Sequence, residues 1–242
     1  MEPSKVCDKI VEWTKERMKK TRAKGGLFGL SGGVDSSVIA ALCQRALGNN
    51  TLALIMPCHS DPLDVKYAIG IAEKFGIEAK EICLDAIYDT FIQILPAGGR
   101  LACANVKSRI RMTTLYYFAN SLNYLVVGTG NKSEITVGYF TKYGDGAADI
   151  SPLGGLLKTE VLELAKYLGV PEKIINRAPS AGLWPGQTDE AEMGITYREL
   201  DEVIQFLEGK IKVKLSEEKI KKVKVLMQNS QHKRESPPVF KF

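Results

Sequence analysis

Between residues 29 and 37 the chain reads Gly29-Leu30-Ser31-Gly32-Gly33-Val34-Asp35-Ser36-Ser37. Glycines let a backbone adopt positive φ and approach a ligand closely. Successive N–H groups leading into a helix form a cradle for anions. Ser31, Ser36 and Ser37 add hydroxyl donors. Asp35 is the unusual member, because a carboxylate beside a phosphate is repulsive unless a cation lies between them. Mg²⁺ meets that need, since it accepts carboxylate and phosphate oxygens together. The string is neither G-x-x-x-x-G-K-[ST] nor G-x-G-x-x-G. Any one of its residues would also suit a glycine turn with Ser and Asp as helix caps. The whole string points to a polyphosphate.

Four later segments carry further candidates. Asn105 to Met112 sets Arg109 and Arg111 near the start of a helix, where one basic face could meet a phosphate or carboxylate, or simply face solvent. Val127-Gly128-Thr129-Gly130-Asn131-Lys132-Ser133-Glu134 follows a strand. There Glu134 could supply a second metal carboxylate and Thr129 could bond an adenylate or ribose, although a plain strand-end turn has the same look. Gly138 to Leu153 mixes small, aromatic and charged residues without periodicity, as functional loops do. Lys158 follows at the start of the next helix. Ala178 to Glu190 is a Pro- and Gly-containing loop, and the tail carries Ser230-Gln231-His232-Lys233-Arg234.

The elements that must position these residues follow from periodicity and punctuation. Val6, Ile10, Trp13 and Arg17 share a face of an opening amphipathic helix, which Gly25-Gly26 is expected to end. Strands are predicted at Leu27–Leu30, Thr51–Met56, Glu78–Leu84 and Leu125–Val127. Helices are predicted at Val34–Leu47, from Asp61-Pro62 through Phe75, and from about Ala104 to Asn120. Strands alternating with helices imply an α/β fold: an open parallel sheet with helices on both faces. Ligands of such sheets bind beyond the carboxyl ends of the strands, where the glycine loop falls.

The 242 residues suit one large domain, and no repeat or Pro/Ser linker divides them, so residues 1–242 are expected to form a single domain. With 45% hydrophobic and 25% charged residues, disordered and collagenous classes are excluded. Two histidines are too few for a histidine-built metal site with a histidine base beside it. The five cysteines, at 7, 43, 58, 83 and 103, show no C-x-x-C pair and suggest reduced thiols. The charged N-terminus does not read as a signal peptide, and no apolar run approaches a membrane span. A cytoplasmic protein with no membrane partner is expected. From Lys210 to Phe242, ten Lys or Arg face three Glu, while the net charge of the whole chain is +5. That tail could bind polyphosphate or nucleic acid, or be a solvated helix face around Lys219–Lys224, and no aromatic interleaving favours single-stranded nucleic acid.

The SGGVDSS string resembles the pyrophosphate-binding loop of the N-type ATP pyrophosphatases, which cleave ATP to AMP and pyrophosphate while adenylating a second substrate. With NVKSRIRM, VGTGNKSE, YFTKYGDGAADISPL, APSAGLWPGQTDE and QHKR, the chain from about Gly29 to Arg234 resembles the ammonia-dependent NAD synthetases. The resemblance implies a Rossmann-like N-type ATP pyrophosphatase fold, Mg²⁺, ATP as co-substrate and a homodimer. It implies that Gly29, Leu30, Ser31, Gly32, Gly33, Val34, Asp35, Ser36, Thr129, Lys158 and Ser180 bind ATP. Asp35 and Glu134 would hold the metal. Arg109, Lys142, Asp149, His232 and Lys233 would bind deamido-NAD, and Asp35, Ser36 and Lys158 would serve catalysis. Many relatives have Gln at the position of Val34 and Thr at that of Ser180. Val11, Trp13, Tyr116, Tyr117 and Phe118 offer apolar surface for a dimer, or for the core.

The implied reaction is the amidation of deamido-NAD, in the last step of NAD biosynthesis. The nicotinic acid carboxylate attacks the α-phosphorus of ATP, giving an NAD-adenylate and pyrophosphate. Ammonia then displaces AMP. NAD is product, not redox cofactor. The length leaves no room for a glutaminase domain, so free ammonia is the expected nitrogen donor. A tRNA-thiolating enzyme of the same loop class would need tRNA binding and a catalytic cysteine. A non-catalytic nucleotide sensor would have no use for Glu134, Lys158 and the Arg109 cluster together.

Overall fold

The computed structural model describes residues 2–184, 186–212 and 216–241. Pro185 of the 178–190 segment and residues 213–215 of the basic tail lie outside the described residues. Helix α1 (Pro3–Thr21) opens on a proline, which is pre-organised for a first turn, and buries Cys7, Thr14 and Met18. It ends at Arg22, at φ 57, and not at the expected glycine pair. Gly25 and Gly26 instead begin strand β1 (Gly25–Gly29). A Cβ on Gly25 would meet the Asn50 carbonyl and the Tyr124 ring, so the glycine is there for close approach between neighbouring chain segments.

Helix α2 (Val34–Leu47) has the expected bounds. Strand β2 (Thr51–Ile55) is buried throughout. Asp61 caps α3 (Pro62–Phe75), accepting from the Leu63 amide at 2.8 Å, and Gly76 closes it at φ 63. Strand β3 (Glu78–Glu81) is exposed along its length and shorter than expected, as suits a polar edge strand. Helix α4 (Asp85–Gln93) was not foreseen, and α5 (Arg100–Leu122) is longer at both ends than the periodicity implied. Strand β4 (Tyr124–Val126) is followed by an isolated bridge between Val127 and Ile150.

The four strands form one parallel sheet in the order β3-β2-β1-β4. Side chains alternate across it. Phe28, Ala53 and Ile55 join the core under α1, α2 and α3, and Leu27, Leu52, Leu54 and Val126 face α5. Helices therefore cover both faces, as the alternation predicted. The order reverses at β1, so the crevice between β1 and β4 is the topological switch point. The glycine loop leaves β1 there, and the Gly128–Glu134 segment leaves β4 beside it.

The second half of the chain adds α6 (Lys132–Val137), α7 (Lys158–Leu168), α8 (Glu172–Ile175), α9 (Asp189–Met193), α10 (Tyr197–Leu207), α11 (Glu217–Asn229) and α12 (Gln231–Arg234). Helix α7 packs in the main core, while α10 and α11 build a smaller cluster around Leu200, Val203, Ile204 and Val223. On α11 the lysines at 221, 222 and 224 are exposed and Val223 is buried, so the basic stretch is a solvated helix face. Val11, Trp13, Tyr116 and Phe118 pack against the cores, whereas Tyr117 is exposed. Among the described residues no helix is long and apolar enough to cross a membrane.

Candidate active site

A cavity of about 570 Å³ opens at the switch point. Its floor is the glycine loop, whose backbone turns at Gly32, at φ 82. The loop is tied internally: Ser36 Oγ donates to the Gly33 carbonyl at 3.0 Å, and Ser37 Oγ donates to the same oxygen at 2.8 Å. A Cβ on Gly32 would collide with the Asp64 carbonyl, so only glycine lets this turn pass under α3. Asp35 stands in the first turn of α2.

Two distant segments converge on Asp35. Asn131 Nδ2 donates to Asp35 Oδ1 at 3.0 Å, and Lys158 Nζ donates to Asp35 Oδ2. The same ammonium lies 3.7 Å from Glu134 Oε1. Asn131 also caps α6 in a reciprocal box with Glu134, which fixes where that carboxylate points. Burial lowers the tendency of Lys158 to hold its proton, but Asp35 and Glu134 outweigh it and keep the group firmly cationic. Burial, helped by the Asp35 charge, pushes the Glu134 carboxyl up to about 8, against the pull of Lys158.

A third carboxylate completes the wall. Tyr197 donates to Asp189 Oδ2 at 2.9 Å and lies 3.2 Å from Glu134 Oε1. Asp189 Oδ1 is buried and meets no hydrogen-bond donor among the described residues. Burial raises the Asp189 carboxyl above the usual range. Three carboxylates thus gather around one lysine, leaving surplus negative charge in a largely desolvated wall. Such a set fits an added cation. Among the described residues no group of three or more His, Cys, Asp or Glu is arranged as a complete metal cage. Asp35 and Glu134 could each give a carboxylate oxygen to Mg²⁺, which binds through one or two carboxylates and takes its remaining oxygens from phosphate and water.

The expected residues divide by position. Gly29, Leu30, Ser31, Gly33, Val34, Asp35, Ser36, Thr129, Glu134, Lys158, Ser180 and Lys233 line the cavity. Gly32 shapes the loop from beneath. Arg109 and Arg111 do not share one basic face, because two residues apart on a helix point nearly opposite ways. Arg111 lines the cavity and donates to the Met56 carbonyl at 3.0 Å, while Arg109 is exposed and donates to the Lys142 carbonyl at 3.3 Å. Lys142 Nζ in turn donates to the carbonyl of His232. Asp149 accepts from the Val126 amide at 2.8 Å and from Tyr116 at 3.3 Å, so in this state it anchors the end of β4. Lys233 donates to the carbonyls of Gly138 and Phe140, each at 2.9 Å, and pins the 138–153 loop to the tail.

Sequence patterns did not single out Asp189, Tyr197 or the Arg177–Asp64 pair at the cavity rim. Asp189 lies inside the 178–190 segment without having been given a role there, Tyr197 lies beyond it, and only their convergence on Glu134 marks them. Arg177 lies two residues after α8 and immediately before the 178–190 segment, outside the quoted string.

The model of the NAD synthase family matches residues 6–237. The chain is similar to the NH(3)-dependent NAD(+) synthetase of Archaeoglobus fulgidus, at 50% identity over 97% of this chain and 96% of the relative. Among solved structures it is similar to the NMN synthetase from Francisella tularensis, with a TM-score of 0.93 and 40% identity over 100% of both chains. It is also similar to the NH3-dependent NAD synthetase from Campylobacter jejuni, with a TM-score of 0.87 and 33% identity over 100% of both chains. Motif order, sheet topology, cavity position and these matches agree: the chain belongs to the NAD synthase family.

Proposed function

We propose that this chain amidates deamido-NAD to NAD with free ammonia, consuming ATP and releasing AMP and pyrophosphate. The observation that carries this is the convergence of Asp35, Glu134 and Lys158 at the floor of the switch-point cavity. The glycine loop and the first turn of α2 present amides and hydroxyls to the triphosphate. Asp35 and Glu134 would hold Mg²⁺, which when bound offsets phosphate charge and favours departure of pyrophosphate. Lys158, released from part of its carboxylate contact, would turn toward the phosphates and stabilise the charge that grows as the α–β bond breaks. Adenylation is needed because O²⁻ is a hopeless leaving group from a carboxylate and AMP is a good one. No residue has to form a covalent bond to substrate. The protein's part is to hold the carboxylate and the α-phosphorus in line and to exclude water.

Within this reading Thr129 and Ser180 face the nucleotide. Lys233, with Arg109, Lys142, Asp149 and His232 along the loop it pins, serves the dinucleotide. The 242 residues act as one synthetase domain. Ile87, Phe91 and Ile94 on and just after α4, and Tyr117 on α5, are exposed apolar side chains, which supports a homodimer. The five free cysteines support a reducing, cytoplasmic setting.

The likeness to the Francisella NMN synthetase favours a second substrate, the mononucleotide acid, on the same catalytic floor. One experiment tests both. Protein is incubated with ATP, Mg²⁺ and ammonium, with either deamido-NAD or nicotinic acid mononucleotide, and NAD, NMN and AMP are measured. A larger kcat/KM for deamido-NAD is expected. A larger value for the mononucleotide assigns the second reading, and no AMP with either acid rejects both.

A further inference from the structure

Asp201 lies in the middle of α10, only 1% exposed, and does not line the cavity. Among the described residues the donors that meet it are neutral, and they come from two other helices. Ser133 Oγ donates to Asp201 Oδ1. The Thr159 amide donates to Asp201 Oδ2 at 2.9 Å, and Thr159 Oγ1 donates to the same oxygen at 2.8 Å. Ser133 Oγ also accepts from the Lys158 amide at 2.9 Å. Ser133 precedes Glu134, and Thr159 follows Lys158.

The reason for this arrangement lies in α7. Its N-cap residue is Leu157, which has no side-chain acceptor for the unpaired amides of the first turn. Asp201 supplies that acceptor from another helix, and its negative charge suits the positive end of α7. One turn earlier on α10, Tyr197 touches Glu134 and Asp189. A single face of α10 therefore fixes the starts of α6 and α7 relative to each other.

We propose that Asp201 is a positioning residue of the reaction: acting through Ser133 and Thr159, it sets the spacing between Glu134 and Lys158 that Mg²⁺ and the phosphates require. This rests on the roles given above to Glu134 and Lys158. Outer partners of this kind typically change metal affinity or activity by about 10–100-fold when removed.

The test compares wild type with Asp201→Asn, Ser133→Ala and Ser133→Thr, below the melting temperature of each. Read out are kcat, KM for deamido-NAD, the Mg²⁺ concentration giving half-maximal rate, and Mg²⁺-dependent ATP affinity by calorimetry. In Asp201→Asn and Ser133→Ala, kcat should fall about tenfold or more, with weaker Mg²⁺ and ATP binding. KM for deamido-NAD should hold, and Ser133→Thr, which keeps the hydroxyl, should recover much of the loss. Variants that melt at lower temperature yet keep wild-type kcat and Mg²⁺ dependence would overturn the proposal and leave Asp201 as a fold residue. If Asp201→Asn does not fold, Ser133→Ala decides by the same readouts. A wild-type protein that makes no AMP counts against the proposed function, and the calorimetric arm still decides the role of Asp201.

Discussion

Lys158 Nζ, at the first position of α7, donates to the carboxylate of Asp35, at the start of α2, across 123 residues of sequence. Both side chains are largely buried, with side-chain exposures of 3% and 17%. This contact offsets the charge of one of the carboxylates gathered there, and under the proposed mechanism it would loosen to admit metal and triphosphate. Buried ion pairs make weak contributions to stability when intact and large penalties when halved. That asymmetry governs the first two expectations.

Lys158→Met should leave Asp35 and Glu134 facing each other without their cation. Denaturant unfolding without Mg²⁺ should show a loss of about 3–5 kcal/mol. An unchanged unfolding midpoint would show that the lysine does not compensate these carboxylates.

Asp35→Asn keeps the side chain's shape, and Lys158 retains Glu134 as a partner. The fold should survive, while ATP cleavage falls by about 10²–10³-fold, the scale of removing one preorganised charge contact. Normal turnover with the usual Mg²⁺ requirement would remove Asp35 from the metal site.

The Glu134 carboxyl, at about 8 when folded against an ordinary 4.5, holds its proton more tightly in the folded protein. Ionising it therefore costs stability. The folded state has no such penalty below pH 4.5 and acquires it progressively up to about pH 8. Without Mg²⁺, Glu134→Gln should gain melting temperature relative to wild type as pH rises through that window. Mg²⁺ should stabilise wild type more at the alkaline end. A difference that does not vary with pH would contradict the burial-driven shift.

Lys233→Ala, or removal of residues 231–242, should raise KM for deamido-NAD about tenfold, since one charge-assisted contact is worth roughly 1.5–3 kcal/mol. ATP binding without deamido-NAD should change much less. The structure gives the route: Lys233 holds the carbonyls of Gly138 and Phe140, so its loss frees the 138–153 loop. Wild-type kinetics for both substrates would exclude the tail from substrate binding.

ADP as the stoichiometric product would move the attack from the α- to the γ-phosphorus and remove adenylation from the mechanism. AMP and pyrophosphate are expected, measured by chromatography.

The sequence alone determined the parts whose cause is local. Helices α2 and α3 were legible to the residue because glycine turns, Asp61-Pro62 and Gly76 punctuate them within a few positions. The glycine loop with Asp35, the Gly128–Glu134 segment and Lys158 were legible because each is a contiguous string with distinctive residue types. Where cause was not local, the sequence misled or was silent. Gly25-Gly26 looked like a helix stop, but the Tyr124 ring and the Asn50 carbonyl demand glycine inside a strand. Helix α4 has no buried residue of its own and offered no core stripe to read. Only tertiary structure decided that Asp189, Tyr197 and Asp201 belong with Glu134 and Lys158. Tyr197 reaches Glu134 across 63 residues, and Asp201 reaches Ser133 across 68. Carboxylates and hydroxyls are ordinary surface residues in a sequence, and desolvation together with the facing of three helix starts makes these a site.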